Sequence, residues 1–230
     1  MTSLLSVKNL NVVLGNQKIL EDVAFELNKG DGLAIIGPNG AGKTVLFKAL
    51  LGIVPYTGQI NWQPNVKIGY VPQKVDIDRY LPLTLEDFLF AKIKTLGLDK
   101  SEIKNNLEIV GLKPGILKST VGHLSFGQFQ KALIVFALLG SPDVLLLDEA
   151  TVGVDVPYET QIYEIIRRLQ EKRELTVVTI SHELEIVYRY ATKVLCLNRK
   201  MLCFGAPREE LTKEAIVSIY NHAAIYHHQH

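Results

Sequence analysis

The sequence has almost no net charge: 25 Lys+Arg stand against 24 Asp+Glu, leaving +1 over 230 residues. That balance argues against a surface built to hold nucleic acid or anionic lipid, although a local basic patch needs no net excess. Cysteine is scarce, at Cys196 and Cys203 only. Two cysteines cannot build a disulfide framework, so a packed core has to carry the stability. Long apolar runs are missing. Ala132–Leu139 and Val144–Leu147 are the longest, split by Gly140-Ser141-Pro142-Asp143, and a membrane helix needs about 20 apolar residues. The opening MTSLLSVKNLNVV lacks the basic head, apolar stretch and cleavage site of a signal peptide. No repeat, low-complexity tract or Gly/Ser linker divides the chain. Apolar residues, by contrast, make up 47%, which argues against wholesale disorder. The expectation is a soluble, cytosolic, globular protein whose dealings with a membrane run through a partner.

The first thirty residues read as strands and turns. Leu4–Leu14 is rich in β-branched residues, Gly15-Asn16 is a turn signal, and Ile19–Leu27 alternates apolar with polar. Gly32–Ile36 is a short apolar run leading into a Gly-rich loop and a helical stretch, Val45–Leu51. Residues 83–139 read as mostly helical: Leu85, Phe88 and Leu89, then Ile103, Leu107 and Val110, recur at helical spacing, with Gly111 as a stop. In the last third, helix and strand alternate. Val144–Leu147 and Thr176–Ile180 are strands, Tyr158, Ile162, Ile165, Ile166 and Leu169 form one helix face, and helix then strand return at Glu183–Tyr190 and Lys193–Leu197. Alternation predicts an α/β fold with a mostly parallel sheet. The helical middle is expected as an insertion into it.

Gly37-Pro38-Asn39-Gly40-Ala41-Gly42-Lys43-Thr44 fits G-x-x-x-x-G-K-[ST], the P-loop. Glycines let backbone N–H groups turn onto anionic oxygens, and the following helix aims its positive end at the same point. Lys43 adds a full charge for the β/γ-phosphates, and Thr44 offers a hydroxyl to Mg²⁺. Val144-Leu145-Leu146-Leu147-Asp148-Glu149 is an apolar strand ending in acids, which places carboxylates at the ligand-binding edge of a parallel sheet. Asp148 suits a Mg²⁺-supporting Walker B acid, and Glu149 a general base that polarises the attacking water. Buried strands also end in acids merely for solubility, and the P-loop tips the balance toward catalysis.

Leu124-Ser125-Phe126-Gly127-Gln128 lies 24 residues before Asp148. With it, the chain resembles the nucleotide-binding subunit of ABC transporters, which carries LSGGQ at that place. The resemblance spans the whole chain. Gln73 in Tyr70-Val71-Pro72-Gln73 matches the Q-loop, Asp155 in Val152-Gly153-Val154-Asp155 the D-loop, and His182 the switch histidine. It implies one P-loop NTPase domain with three parts. These are a RecA-like core with an N-terminal antiparallel β subdomain (1–74 and 141–210), an inserted helical signature subdomain (75–140), and a helical, His-rich tail (211–230). It further implies a head-to-tail homodimer sandwiching two ATPs, in which Ser125, Phe126, Gly127 and Gln128 cover the γ-phosphate of the partner's site in trans. Glu149, His182 and Gln73 would be catalytic, and Thr44, Gln73 and Asp148 would hold Mg²⁺. Partners would be integral membrane permease subunits and, indirectly, an extracytoplasmic metal-binding protein, with no nucleic acid. The chain would sit on the cytoplasmic face of the membrane through the permease.

Four positions depart from the family pattern. Phe126 replaces the first glycine of the signature pair, which matters if that backbone needs positive φ; a ring turned outward would leave the enzyme active. Leu14 stands where an aromatic usually stacks on adenine, so an apolar face remains without stacking. Ala150 replaces a proline and Lys131 an arginine. These departures also motivate a different reading, a nucleotide-gated scaffold that does not hydrolyse, and a soluble ABC ATPase uncoupled from transport is a third.

The segments Tyr70–Lys74, Leu81-Pro82-Leu83-Thr84 and Val194–Asn198 resemble the zinc/manganese-uptake branch, so the expected cargo is a divalent metal ion. Four of the six histidines, His222, His227, His228 and His230, lie in the last nine residues. Such a cluster can bind Zn²⁺ or be a tract without function. Cys196 and Cys203 flank a hairpin turn near Asn198–Lys200 and are expected as two buried structural thiols in preference to a metal site.

Overall fold

The computed structural model describes residues 3–75, 78, 80–149 and 156–224; of 156–159 and 221–224 it describes the backbone alone. Two long strands, β1 (Ser3–Leu14) and β2 (Gln17–Asn28), open the chain, followed by β3 (Gly32–Ile36), α1 (Lys43–Leu50), β4 (Thr57–Trp62) and β5 (Ile68–Val71). The middle holds α2 (Leu85–Leu96), α3 (Ser101–Ile109), two 3-10 turns (Pro114–Lys118 and Val121–His123) and α4 (Phe126–Leu138). Next come β6 (Val144–Asp148), α5 (Val156–Arg173), β7 (Thr176–Ile180), α6 (Leu184–Tyr190), β8 (Lys193–Asn198) and β9 (Lys200–Gly205), then α7 (Pro207–Glu210) and α8 (Lys213–Ala224). The class is the expected one: largely parallel strands with helices, and an antiparallel sheet at the N-terminus.

The chain forms two compact units, one of the described residues up to Asn65 together with those from Thr176 on, the other of Val66–Leu175. In the first, β1 lies between β2 and β4, antiparallel to both. Leu5, Val7, Leu10 and Val12 of β1, with Leu20, Val23, Phe25 and Leu27 of β2, are buried. The second sheet of this unit runs β7-β3-β8-β9, parallel on both sides of β3 and antiparallel between β8 and β9. Every residue of β3 and of β7 is buried, which is why β3 reads as a short apolar run and β7 as a β-branched one, neither with the polar alternation of a half-exposed strand. Ala34, Ile36, Val194 and Cys196 pack with Val187 of α6 and Ile219 of α8. Phe25 is buried, with its ring 6.0 Å from that of Phe204. The strand β4 has no clear apolar alternation (TGQINW), and it is pairing with β1 that makes it a strand.

The second unit holds the parallel pair β5 and β6, with Ile68 opposite Val144 and Val71 opposite Leu147. Leu85 and Leu89 of α2, Ile103 and Leu107 of α3 and the following Val110 are buried, as their spacing predicts, while Phe88 is half-buried and Ile93 extends the buried face of α2. The Phe88 and Phe136 rings stack at 4.8 Å, joining α2 to α4. Among the described side chains of α5, Ile162, Tyr163, Ile166 and Leu169 are buried and Ile165 is half-buried; the Tyr158 side chain lies outside the described residues.

Cys196 and Cys203 correct the expectation of two separate thiols: they form a disulfide. The hairpin is where the sequence places it. Antiparallel register sets the two residues opposite each other with Cα atoms 4.8 Å apart, within reach of a disulfide without backbone movement.

Candidate nucleotide site

The P-loop begins where β3 ends. A Cβ on Gly37 would lie 2.0 Å from the carbonyl oxygen of Leu197, so no other residue fits. The loop closes on itself through the Ala41 N–H, which donates to the Pro38 carbonyl (3.2 Å), while the Arg199 N–H donates to the Ala41 carbonyl (2.9 Å). Gly42 caps α1 with φ 96°, a left-handed conformation that side chains rarely adopt. Lys43 and Thr44 start the helix, and its first turn carries no acidic residue, leaving the positive helix end unopposed. Lys43 is buried, and its ammonium donates to the carbonyls of Gly37 (2.9 Å) and Pro38 (3.0 Å). Asn39 and Gly40 form the exposed crest and Thr44 is half-buried. A backbone turned inward, a helix N-terminus and one lysine fit a nucleotide polyphosphate.

Two further residues belong to this unit. Leu14 ends β1 as an exposed aliphatic face. His182 is exposed and lies two residues beyond the end of β7. The preceding Ser181 donates its N–H to the Ile35 carbonyl (3.3 Å), so His182 leaves the sheet at the same carboxyl edge as the P-loop.

The acids lie in the other unit. Asp148, the last residue of β6, is 1% exposed and accepts a hydrogen bond from the Tyr70 hydroxyl at 3.3 Å. Burial first, and then the Asp148 charge, hold the Tyr70 phenol well above its usual ionisation range, so it acts as a fixed donor. Glu149 is half-buried with φ 48°. A non-glycine residue held there costs about 1–3 kcal/mol, and such strain collects at functional sites. The Gln73 side-chain amide donates to the Glu149 carboxylate. The fold thus joins two residues that are 76 positions apart. Thr44, Gln73 and Asp148 are oxygen donors of the kind Mg²⁺ takes.

The signature segment is a helix start. Ser125 caps α4: its hydroxyl accepts from the Gln128 N–H (3.2 Å), and the Gln128 side-chain oxygen accepts from the Ser125 N–H (3.0 Å). This capping box leaves the Gly127 N–H among the first-turn donors that have no acceptor within the helix. Phe126 is the first helical residue, with its ring half exposed and no positive φ. A side chain is therefore compatible with the backbone there. Lys131 is buried in α4, and burial lowers its pKa.

Asp155, His227, His228 and His230 lie outside the described residues, and of His222 only the backbone, in α8, is described. Among the described residues no group of three or more His, Cys, Asp or Glu is placed to hold a metal ion, and no helix is long and apolar enough to cross a membrane. Sequence reasoning passed over Tyr70, whose hydroxyl meets Asp148. Its signal was a polar-tipped aromatic on the strand that pairs with β6.

A strand–loop–helix phosphate cradle in an α/β fold, with an acid-tipped strand, defines a P-loop nucleotide-binding protein. The chain belongs to the ABC transporter family, whose pattern it matches over residues 20–152, and it is an ATPase of that class. It is 36% identical over 236 residues to the zinc import ATP-binding protein ZnuC of Photorhabdus laumondii, covering all of this chain and 90% of that protein. The ZnuC of Jannaschia sp. is 41% identical over 206 residues, 89% of this chain and 83% of that one. Among solved structures, a chain of an ABC transporter described as of metal-chelate type, in an inward-facing conformation, aligns with a TM-score of 0.86 at 28% identity, covering 96% of this chain and 90% of that one. An ATP-binding subunit of an ABC transporter aligns with a TM-score of 0.80 at 26% identity, over 96% and 99%.

Proposed function

We propose that this chain hydrolyses ATP to drive import of a divalent metal ion, zinc in the first place and manganese as the alternative, through partner permease subunits at the inner face of the membrane. The near full-length likeness to zinc import ATP-binding proteins supports the cargo. The observation that carries hydrolysis is the Gln73–Glu149 contact at the end of β6. It aims a base and an amide at one spot, as water positioning requires.

In this reading Gly37–Thr44 binds the phosphates and Leu14 faces the base. Thr44, Gln73 and Asp148 would be the residues to hold Mg²⁺, which would supply neutralisation of phosphate charge. Glu149 takes the proton of the attacking water while His182 steadies the γ-phosphate. Two copies pair head to tail, with the Ser125 hydroxyl and the Gly127 N–H capping the partner's γ-phosphate. The residues 75–140 dock the permease. A groove of about 340 Å³ supports this, lined by Gln73, Lys74, Val121, Leu124, Phe129 and Leu133. Because Gln73 also meets Glu149, permease movement there would reach the base. An extracytoplasmic metal-binding protein would deliver the ion.

The test is turnover of the chain with its permease beside Glu149→Gln. Mg²⁺-dependent hydrolysis is expected in the former and lost in the latter, with ATP binding kept. Wild-type protein without turnover would sink hydrolysis. A deletion strain that grows normally under zinc and manganese limitation would sink the cargo.

A further inference from the structure

We propose that Cys196 and Cys203 are a reversible dithiol–disulfide site, reactive toward small thiols and disulfides, whose redox state sets how tightly the loop Gly37–Thr44 holds nucleotide. The inference rests on that loop being the nucleotide site. Three observations carry it.

The first is pairing. The two residues are opposite partners in the β8–β9 hairpin, bonded through sulfur and seven positions apart. Disulfides in reducing compartments are typically transient and redox-sensing, and the cytoplasmic placement proposed above is such a compartment.

The second is access. Cys196 is fully buried among Ile36, Val194 and Ile219, whereas Cys203 is half-buried on β9 at the sheet edge. A small thiolate therefore attacks the Cys203 sulfur. A mixed disulfide forms there, the Cys196–Cys203 bond breaks, and Cys196 leaves as a thiolate that takes up a proton in its apolar surroundings. A second small thiolate attacks the outer sulfur of the mixed disulfide and releases Cys203. The net change is two small thiols oxidised to one small disulfide and the protein disulfide reduced to two thiols. Re-oxidation by a small disulfide runs the same steps backwards.

The third is what the clamped segment touches. The carbonyl of Leu197 lies where any Gly37 side chain would have to go. The Arg199 N–H donates to Ala41 (2.9 Å), and its carbonyl accepts from the Glu21 N–H (2.8 Å). Arg199 itself sits at φ 60°. All of these contacts lie between the two cysteines. The disulfide holds the hairpin shut over its turn and so keeps Leu197 and Arg199 pressed on the phosphate loop. Reduction frees the hairpin to open, and a less preorganised loop binds more weakly.

The experiment uses the full chain equilibrated in glutathione buffers of graded potential, with thiols counted by alkylation and mass. MgATP affinity is measured in the oxidised and reduced forms, beside Cys203→Ser and Lys43→Ala. One two-electron transition is expected, with MgATP bound about fivefold or more tightly by the oxidised form. Cys203→Ser should match the reduced form at every potential. Equal affinity in the two forms, or a Cys203→Ser variant that binds like the oxidised form, overturns the inference. Absence of MgATP binding in both forms, as in Lys43→Ala, would instead refute the loop as the nucleotide site and the affinity claim with it.

Discussion

Replacing Tyr70 by Phe removes one hydroxyl and leaves the ring in place. That hydroxyl donates to Asp148, whose carboxylate is 1% exposed. A hydrogen bond to a buried charge contributes about 1.5–3 kcal/mol. At 3.3 Å the bond is longer than the usual O–H···O range, so the loss should be smaller, about 1 kcal/mol. For a chain of this size that lowers Tm by about 2–4 °C. The pH dependence gives a sharper signature. Folding raises the Tyr70 phenol above its ordinary value of 10.0, so its contribution is constant below pH 10. Above that, the unfolded chain ionises while the folded one does not, and stability falls with slope up to about 1.4 kcal/mol per pH unit. The Phe variant lacks this loss. Its deficit relative to wild type should therefore narrow above pH 10. Tyr220, whose phenol is also raised by burial, is common to both proteins and cancels in the difference. Denaturant or thermal unfolding of the two proteins from pH 7 to pH 11 measures it. A variant as stable as wild type at pH 7, or a deficit that stays constant through pH 11, would refute the reasoning. Turnover should fall about fivefold if Asp148 is the metal-supporting acid.

Gly37→Ala would place a methyl 2.0 Å from a backbone oxygen, so nucleotide binding should drop at least about 100-fold by calorimetry; a folded variant with wild-type affinity would contradict the close approach. Ser125→Ala removes the α4 cap and should cost about 1 kcal/mol, whereas Ser125→Asp restores the cap. If the hydroxyl also caps a phosphate in trans, both variants lose turnover, and recovery of turnover in the Asp variant would leave Ser125 with a structural role alone.

The P-loop was legible because its demands are local. Gly37 and Gly42 are glycines for reasons of backbone approach and positive φ, and Lys43-Thr44 follows at fixed spacing. Leu85 and Leu89, or Ile103 and Leu107, announce their buried faces by period alone. The hairpin near Asn198–Lys200 was equally readable, but the sulfur bond across it depends on register, which places Cys196 against Cys203 and not against a neighbour. Phe126 was a question in the sequence, and its position as the first residue of a capped helix answers it, since no left-handed backbone is needed there. On α5, Tyr163 and Ile165 flank opposite margins of the Ile162, Ile166 and Leu169 stripe, and it is packing, not period, that buries the Tyr163 margin and leaves Ile165 half-buried.

By itself, the sequence determined the class of protein and pointed to the loop that would take a phosphate. The near absence of net charge is compatible with this: one buried lysine and a row of backbone dipoles suit a polyphosphate, so no basic surface is required. Only the tertiary structure decided which distant groups act together. Tyr70 meets Asp148, Gln73 meets Glu149, and Leu197 and Arg199 brace Gly37 and Ala41. Those contacts arise from strand register and hairpin closure, which sum weak preferences along the whole chain and leave no mark on any single stretch of it.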